Sequence, residues 1–213
     1  VRTNNFASQH IAEGLGMKAM CNFVKIYRGQ EMPHFLYTLD RDKWLKTASN
    51  GTVIMLELEE KKDFLQLLLL GDEDEKMLDR YLKRGDLFAL YKGDLKATVV
   101  VTQEKEDVFE VKNLAVWPQE QRRGYGRFLM TEMCRLYSRL GTRMLVGTGD
   151  VFETLNFYQA CGFTRSHVIK NFFTDNYPQP IFENGIQLKD MVYLERFLKN
   201  DRRFYYLAVL CVL

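Results

Sequence analysis

A glycine-containing loop rich in arginine is the clearest candidate for chemistry in this sequence. It reads Gln121-Arg122-Arg123-Gly124-Tyr125-Gly126 and is followed directly by Arg127. Two glycines spaced by one residue let the backbone approach a ligand without an intervening Cβ. The loop precedes a predicted amphipathic helix, Arg127–Leu140, and the first N–H groups of a helix attract phosphate. Because guanidinium groups also suit phosphate oxygens, the pattern predicts an anion-binding site.

Two familiar phosphate-binding loops fit this stretch poorly. A nucleoside triphosphate loop requires a Gly-Lys-Ser/Thr sequence, which does not follow the glycines. A dinucleotide fingerprint requires a third glycine and repeated strand-turn-helix units, and both are missing. The remaining alternative is a surface turn with solvated arginines. The predicted strand before the loop, the helix after it and the arginine cluster together favour anion binding.

The elements that must position this loop alternate between strands and helices. From residue 52 onward the predicted order is β-α-α-β-β-β-α-β-α-β-β, which is typical of a mixed α/β layer structure. Strands are predicted at residues 52–57, 87–91, 97–102, 110–117, 144–147, 167–173 and 191–194. Helices are predicted across the leucine cluster 65–70 and at residues 74–83, 127–140 and 153–160. A separate helix, at residues 4–16, and two strands, at 23–27 and 35–39, come before them.

The glycine loop resembles the Q/R-x-x-G-x-G/A signature of the GNAT superfamily of N-acetyltransferases. Downstream, Phe157-Tyr158-Gln159-Ala160-Cys161-Gly162-Phe163 is similar to the Tyr-x-x-x-Gly-Phe helix end of the same superfamily. A helix and a strand separate the two motifs, as in the family, and the resemblance covers residues 52–197. It implies an α/β fold of the GNAT type. Such a fold has a mixed, mostly antiparallel central sheet with a splayed pair of central strands, flanked by helices.

The resemblance also implies a binding mode for acetyl-CoA as the acyl donor. The pantetheine arm is expected between strands 110–117 and 144–147, and the pyrophosphate on the N–H groups of residues 122–127. Asn156 is included as a substitute for an asparagine that many relatives carry where this chain has Asp150. The expected cofactor-binding set is Leu114, Ala115, Val116, Gln121, Arg122, Arg123, Gly124, Tyr125, Gly126, Arg127 and Asn156.

Two residues are expected to act in catalysis by the same resemblance. Tyr158 matches the family tyrosine that protonates the departing CoA thiolate, and a phenol suits that task near neutral pH. The alternative interpretation is that Tyr158 is an ordinary aromatic residue of the hydrophobic core. Glu110 opens the fourth strand, where many relatives place a carboxylate base, although a solvated strand-end glutamate fits equally well. Asp150 and Glu183 are weaker candidates for the base. His167 is better explained as a strand residue with ordinary contacts than as a base.

The expected function is transfer of an acetyl group from acetyl-CoA to a primary amine of a small molecule or a protein. The alternative is a catalytically weak domain that binds acetyl-CoA as a sensor or regulator; a third reading is a structural partner. Acceptor specificity is expected from residues 63–83 and from the loop 172–187. The side chains expected to line an acceptor pocket are Phe172, Phe173, Tyr177, Phe182 and Glu183.

A second resemblance lies at the front of the chain. Residues 4–17 are similar to another GNAT signature, N-x-A-S-x-x-x-A-E-K-L-G-M, although Gly14 stands where relatives usually carry lysine. That signature belongs to the final helix-strand-strand portion of the family fold. Residues 1–45 are therefore expected to be the tail of a second GNAT-like domain, followed by the complete domain at 52–197 and an apolar tail at 198–213. The exposed sheet edge of such a fragment favours association, so a homodimer is one expected state.

The amino-acid composition limits the classes of binding partner and the compartment that can be expected for this protein. The 30 basic and 28 acidic residues give a formal net charge of +2, which provides no global attraction for nucleic acid or an anionic membrane. Four scattered cysteines without a CxxC pair predict neither disulfides nor a metal site and favour a reducing compartment, the cytoplasm. The longest apolar run, 204–213, is about half the ~20 residues that span a bilayer, so a soluble protein is expected.

Overall fold

A computed structural model describes residues 3, 9, 13, 18–27, 30–38, 52–57, 60–199 and 210–212. The chain divides into two compact units, one made mainly of residues 1–52 and the other mainly of residues 53–211. In the first unit, β1 (Lys18–Tyr27) and β2 (Gln30–Thr38) pair as an antiparallel hairpin. The predicted helix at 4–16 lies largely outside the described residues. The assignment of residues 1–45, 52–197 and 198–213 to three separate segments stays a prediction.

The second unit is built on one mixed sheet. Its strands, and those of a small hairpin, are β3 (Val53–Glu57), β4 (Asp86–Lys92), β5 (Asp94–Lys105), β6 (Val108–Val116), β7 (Arg143–Gly149), β8 (Thr164–Ile169), β9 (Phe182–Glu183), β10 (Ile186–Gln187), β11 (Met191–Phe197) and β12 (Leu210–Val212). The order across the sheet is β12-β3-β4-β5-β6-β7-β11-β8, while β9 pairs with β10. Within the sheet β6 and β7 are parallel, and β3–β4, β5–β6, β7–β11 and β11–β8 are antiparallel.

Helices cover the sheet. They are α1 (Leu65–Leu68), which follows a 3-10 turn at Lys61–Phe64, then α2 (Glu75–Leu82), α3 (Tyr125–Tyr137), α4 (Phe152–Ala160) and α5 (Phe172–Asn176). Helix α2 begins where the Asp74 carboxylate accepts a hydrogen bond from the Lys76 N–H, the usual N-cap arrangement. In the described part of the chain, no helix is long and apolar enough to cross a membrane.

Helix α3 carries the apolar face that the sequence predicts, but its ends differ from the prediction. Leu129 and Met133 are fully buried in the main core, whereas Leu140 is 61% exposed. The helix ends at Tyr137 because the Leu140 N–H bonds back to the Tyr137 carbonyl, which tightens the chain into a turn. It begins at Tyr125, so Gly126 lies in its first turn and not in the loop before it.

The two parallel central strands separate part of the way along their length. β6 pairs with β7 from Val108 to Val111, opposite Arg143 to Val146, and no pairing of the two follows in the described residues. β6 continues against β5 to Val116, and β7 continues against β11 to Gly149. A register shift between β5 and β6 leaves Lys112 as an extra residue, and such a bulge bends its strand. The expected splayed pair is therefore present.

One predicted strand is partly wrong. The expected strand at 167–173 ends at Ile169, and Phe172 and Phe173 belong instead to helix α5. Asn171, with φ 56°, takes a left-handed conformation that a strand cannot continue through, and asparagine tolerates it. The β9–β10 hairpin, which turns through Asn184 and Gly185, was also not predicted.

Candidate active site

The gap between β6 and β7 exposes backbone groups of β6. The Trp117 N–H bonds to the Lys96 carbonyl of β5 at 3.1 Å. Because successive residues of a strand point their backbone groups to opposite sides, those of Leu114 and Val116 face away from β5, toward the gap. Those of Ala115 face β5. The Val116 carbonyl accepts a hydrogen bond from the Gln121 side-chain amide at 3.3 Å, so the glycine loop starts beside this strand end.

The glycine loop forms a cradle of free N–H groups. Arg122 and Gly124 have φ of 61° and 87°, and these left-handed turns lead the chain into α3 without a side-chain cap. The first helical bond runs from the Phe128 N–H to the Gly124 carbonyl, 2.9 Å apart. Within the described ranges, the backbone N–H groups of residues 122–127 donate no hydrogen bond. They can therefore bind an anion.

The two glycines serve this loop in different ways. A Cβ on Gly124 would meet nothing within 4 Å, but the positive φ of this residue disfavours any other side chain except asparagine or aspartate. A Cβ on Gly126 would lie 3.3 Å from the Phe157 ring and 3.6 Å from a Val116 methyl group. Gly126 thus lets the first turn of α3 approach both α4 and the open end of β6.

The three arginines have different surroundings. Arg122 is exposed. Arg123 forms an ion pair with Glu120 at 2.9 Å, and the other oxygen of Glu120 binds the Lys96 ammonium at 2.7 Å in a mostly buried contact. The Arg127 guanidinium donates to the Ala160 carbonyl at 2.8 Å, at the end of α4. The N–H group of Arg127 belongs to the cradle, while its side chain joins two helices.

Tyr158 lies on the buried side of α4, 8% exposed. Its ring packs at 5.1 Å from the ring of Phe157 and at 6.1 Å from that of Phe163. Burial raises the pKa of the Tyr158 phenol, and the neighbouring Cys161 and Glu183 raise it further. Glu183 accepts a hydrogen bond from Thr154, one helical turn before Tyr158. Glu183 therefore lies beside the expected acid.

The other α4 residue of the expected set, Asn156, is exposed.

The Glu110 carboxylate lies deep in the paired part of the sheet. It is 6% exposed, forms an ion pair with Lys112 at 2.9 Å and accepts a hydrogen bond from the Tyr193 hydroxyl at 3.1 Å. The Tyr193 ring stacks on His167 at 4.6 Å, so these four side chains form one cluster. Glu110 pairs in register with Leu145, which places it before the strands separate.

Asp150, one of the weaker candidates for the base, lies elsewhere. It forms an exposed ion pair with Arg165 at 2.8 Å.

A carboxylate that the sequence did not single out lies at the end of α1, near Asn113 of β6. Asp72 accepts hydrogen bonds from the hydroxyls of Tyr177, at 3.0 Å, and Tyr81, at 3.4 Å. The Tyr81 oxygen in turn lies 3.2 Å from the Asn113 side-chain nitrogen, which also donates to the Leu68 carbonyl at 2.9 Å. We call these four residues, Asp72, Tyr81, Asn113 and Tyr177, the Asp72 cluster. It joins the two segments expected to select the acceptor.

The predicted acceptor pocket is divided in this structure. Tyr177 joins the Asp72 cluster, whereas Glu183 lies beside Tyr158. Phe173 is buried in a small core with Val151 and Leu188, and both Phe172 and Tyr177 pack against this core. The Tyr177 ring stacks on that of Phe173 at 5.6 Å, so these three aromatic residues stay together while Glu183 lies apart from them. Phe182 is exposed.

A mixed sheet whose parallel central strands part beside a helix with free N-terminal amides is the architecture of the GNAT acetyltransferases. Residues 83–165 match the sequence profile of the acetyltransferase (GNAT) domain. The chain is 36% identical over 150 residues to an uncharacterized N-acetyltransferase, YvbK, of Bacillus subtilis (strain 168), an alignment of 68% of this chain and 97% of that protein. The chain therefore belongs to the GNAT acetyltransferase family.

Solved structures agree on the fold. A Bacillus subtilis acetyltransferase in complex with CoA is 33% identical, with a TM-score of 0.65 over 70% of this chain and 100% of that one. A GNAT family acetyltransferase from Elizabethkingia anophelis with acetyl-CoA bound is 32% identical, with a TM-score of 0.65 over 70% of this chain and 99% of that one. The expected GNAT fold, with its mostly antiparallel sheet flanked by helices, is confirmed.

Proposed function

We propose that this enzyme transfers an acetyl group from acetyl-CoA to a primary amine. The observation that carries the proposal is the row of free N–H groups at residues 122–127, beside the gap between β6 and β7. Relatives about one third identical hold CoA and acetyl-CoA in their structures. The residues of this chain fit such a ligand, because the cradle suits a pyrophosphate and the gap suits an extended arm.

Each part of the donor has a matching group in the chain. The cradle and the exposed Arg122 bind the pyrophosphate. The backbone groups of Leu114 and Val116, which face the gap, hold the pantetheine arm by hydrogen bonds of the kind that join neighbouring strands. A backbone N–H at this place also stabilises the negative charge that develops on the thioester oxygen during attack. Gln121 and Tyr125 complete the loop, and Asn156, which is exposed on α4, is the remaining member of the proposed set.

Two side chains are assigned to proton transfer. Tyr158 protonates the departing thiolate: its raised pKa means that the hydroxyl keeps its proton at neutral pH, which is the form that can donate. Glu110 is the carboxylate that the resemblance offers as the base; because it is bound by Lys112 and Tyr193 and lies before the strand gap, it would receive the amine proton only through water.

Acetyl-CoA consumption separates the proposed enzyme from a sensor. The full chain should bind CoA by calorimetry and should consume acetyl-CoA when a panel of primary amines is added: polyamines, aminoglycosides, arylalkylamines and peptides with free N-termini. CoA binding without turnover of any amine would favour the alternative, a domain that senses acetyl-CoA. Absence of CoA binding would contradict both. Gly126→Val is the negative control, since a branched side chain there would press on Phe157 and Val116 beside the open end of β6 and should weaken CoA binding.

A further inference from the structure

We infer that the Asp72 cluster is the binding site for the acceptor amine, with Asp72 holding the amine and taking its proton when it attacks the thioester. This inference rests on the proposed function and adds the acceptor to it. In this inference Asp72, and not Glu110, is the carboxylate that receives the proton of the amine. The acceptor class is a small primary amine that arrives as its ammonium form.

The first argument is the chemistry of the cluster. Asp72 is half-buried, between the end of α1 and the start of α2, and two phenols donate to it: Tyr81 from α2, nine residues away, and Tyr177, 105 residues away. A carboxylate accepts up to about four hydrogen bonds. Asp72 accepts two from the phenols and a long one, 3.4 Å, from the Asp74 N–H, which leaves capacity for an ammonium group. Burial raises the pKa of the Asp72 carboxyl, which makes its carboxylate a stronger base than an exposed aspartate.

The second argument is an unpartnered polar atom at the same place. Asn113 is 2% exposed, and its Oδ1 has no hydrogen-bond donor in the described structure. The orientation of the amide follows from its surroundings, because the Leu68 carbonyl can only accept and must face the amide nitrogen. An unsatisfied buried acceptor costs about 1–3 kcal/mol. The N–H groups of a bound amine would supply the missing donor.

The third argument is the position of the cluster relative to the strand gap. Asn113 precedes Leu114, the first β6 residue whose backbone groups face the gap. It follows the bulge at Lys112, where β6 parts from β7. A Cβ on Gly71 would lie 2.9 Å from the Asn113 amide, so the end of α1 rests directly on this part of β6. An amine held by Asp72 is therefore beside the proposed thioester site, whereas Glu110 lies in the paired part of the strand.

The proton balance of the reaction follows from this placement. The ammonium form loses one proton to Asp72, which passes it to solvent. The nitrogen lone pair then attacks the thioester carbonyl carbon; the C–N bond forms and the C–S bond breaks. Asp72 takes the second proton from nitrogen and also passes it to solvent, while Tyr158 gives its proton to the thiolate sulfur and regains one from solvent. The products are the acetamide, the CoA thiol and one released proton.

The neighbouring surface favours a small acceptor. A cavity of about 340 Å³ adjoins the cluster through Tyr177 and is also lined by Met77, Arg80 and Asn176. This volume is at the lower end of the range for small-molecule sites. The Arg80 guanidinium donates to the Asn176 side-chain oxygen at 3.2 Å, which closes one wall between α2 and α5.

The test compares Asp72→Asn with Glu73→Gln, an exposed neighbour of the same charge. The probes are spermidine, kanamycin, tyramine and an alanyl peptide, each assayed for acetyl-CoA turnover. Asp72→Asn should lower kcat/KM for the best small amine about 100-fold and change the Kd for CoA less than about twofold. Glu73→Gln should leave both unchanged. Thermal shift adds a readout besides turnover: the best amine should raise the Tm of the CoA complex, and Asp72→Asn should abolish that rise.

A pH profile separates a direct role from a structural one. The groups that face Asp72 are Tyr81 from α2, Tyr177 from the segment after α5, and the neighbouring Asp74. Because the Tyr177 hydrogen bond lowers the pKa of Asp72, Tyr177→Phe should move the acidic limb of kcat/KM to higher pH with the same amine. A residue that only supported the fold would lower the profile without moving the limb.

Three results would overturn the inference and leave the proposed function standing. They are retention of wild-type kcat/KM in Asp72→Asn, an unmoved limb in Tyr177→Phe, and faster turnover of the alanyl peptide than of every small amine. Failure of the full chain to bind CoA would instead reject the proposed function itself. CoA binding with neither turnover nor a thermal shift for any of the amines would also reject the acceptor site.

Discussion

The Arg127 guanidinium donates a hydrogen bond to the Ala160 carbonyl, and this 2.8 Å contact joins the first turn of α3 to the last turn of α4. The sequence placed Arg127 among the phosphate-binding arginines. Its side chain stabilises instead the helix end that carries Tyr158, since a cation near a helix C-terminus interacts favourably with the helix dipole and its free carbonyl groups. The contact thus connects the proposed donor cradle to the proposed acid.

Arg127→Ala and Arg122→Ala should have opposite signatures. Arg127→Ala should lower the free energy of unfolding by about 0.5 kcal/mol, because the guanidinium is exposed and only the α4 end loses its cation. Arg122→Ala should leave stability unchanged and weaken CoA binding about tenfold, the effect of one lost charge-assisted hydrogen bond. Urea unfolding and calorimetry with CoA measure the two effects. An equal loss of stability in both variants would contradict this division of roles.

The glycine positions of the loop can be tested by single methyl groups. Gly124→Ala should lower the free energy of unfolding by about 1–2 kcal/mol, the cost of a left-handed conformation for an ordinary residue. Gly124→Asn should cost less, because asparagine tolerates this conformation. Gly126→Ala should be less destabilising than Gly124→Ala and more harmful to CoA binding, since alanine favours the helix but its Cβ presses on Phe157. A reversed order in either measurement would reject the assigned roles.

Tyr158→Phe should separate turnover from binding. The hydroxyl makes no hydrogen bond to the described part of the protein, so its removal should not change the Tm. If it protonates the thiolate, kcat should fall about 100-fold while the Kd for CoA stays constant. Tyr137→Phe is the matched control: it removes a buried hydroxyl bound to Asp86 at 2.7 Å and should lower stability without a comparable effect on kcat. Equal losses of kcat in the two variants would exclude a special role for Tyr158.

Asp72→Asn should show a pH-dependent gain in stability relative to the wild type. The Asp72 carboxyl has a folded pKa above its ordinary value of 3.8, with burial as the main cause. The folded state therefore binds this proton more tightly than the unfolded chain, and stability falls as pH rises from the ordinary pKa through the folded one. The asparagine of the variant does not ionise, so the variant does not lose this stability. The difference in free energy of unfolding, variant minus wild type, should therefore increase between pH 3 and pH 7 when measured by urea unfolding. A constant difference would show that the charge of Asp72 costs the fold nothing.

Local patterns in the sequence were sufficient for most of the fold and for the donor side of the site. Leu129 and Met133 mark one face of α3 by their spacing, and the paired glycines mark the loop before it. These features depend on neighbours within about two turns of chain, which is the range over which periodicity and turn chemistry act. For that reason the element order and the location of the cradle could be predicted.

The tertiary structure decided the features that depend on distant residues. Asp72 and Tyr177 are 105 residues apart and meet only because the folded chain brings the segment after α5 against the end of α1. The place where β6 leaves β7 depends on the bulge at Lys112, a matter of pairing register that the strand sequence alone does not specify. The sequence by itself therefore determined the family architecture and the anion cradle, whose signals are local. The proposed acceptor carboxylate emerged only from the packed chain, because long-range contacts are chosen by packing and not by local propensity.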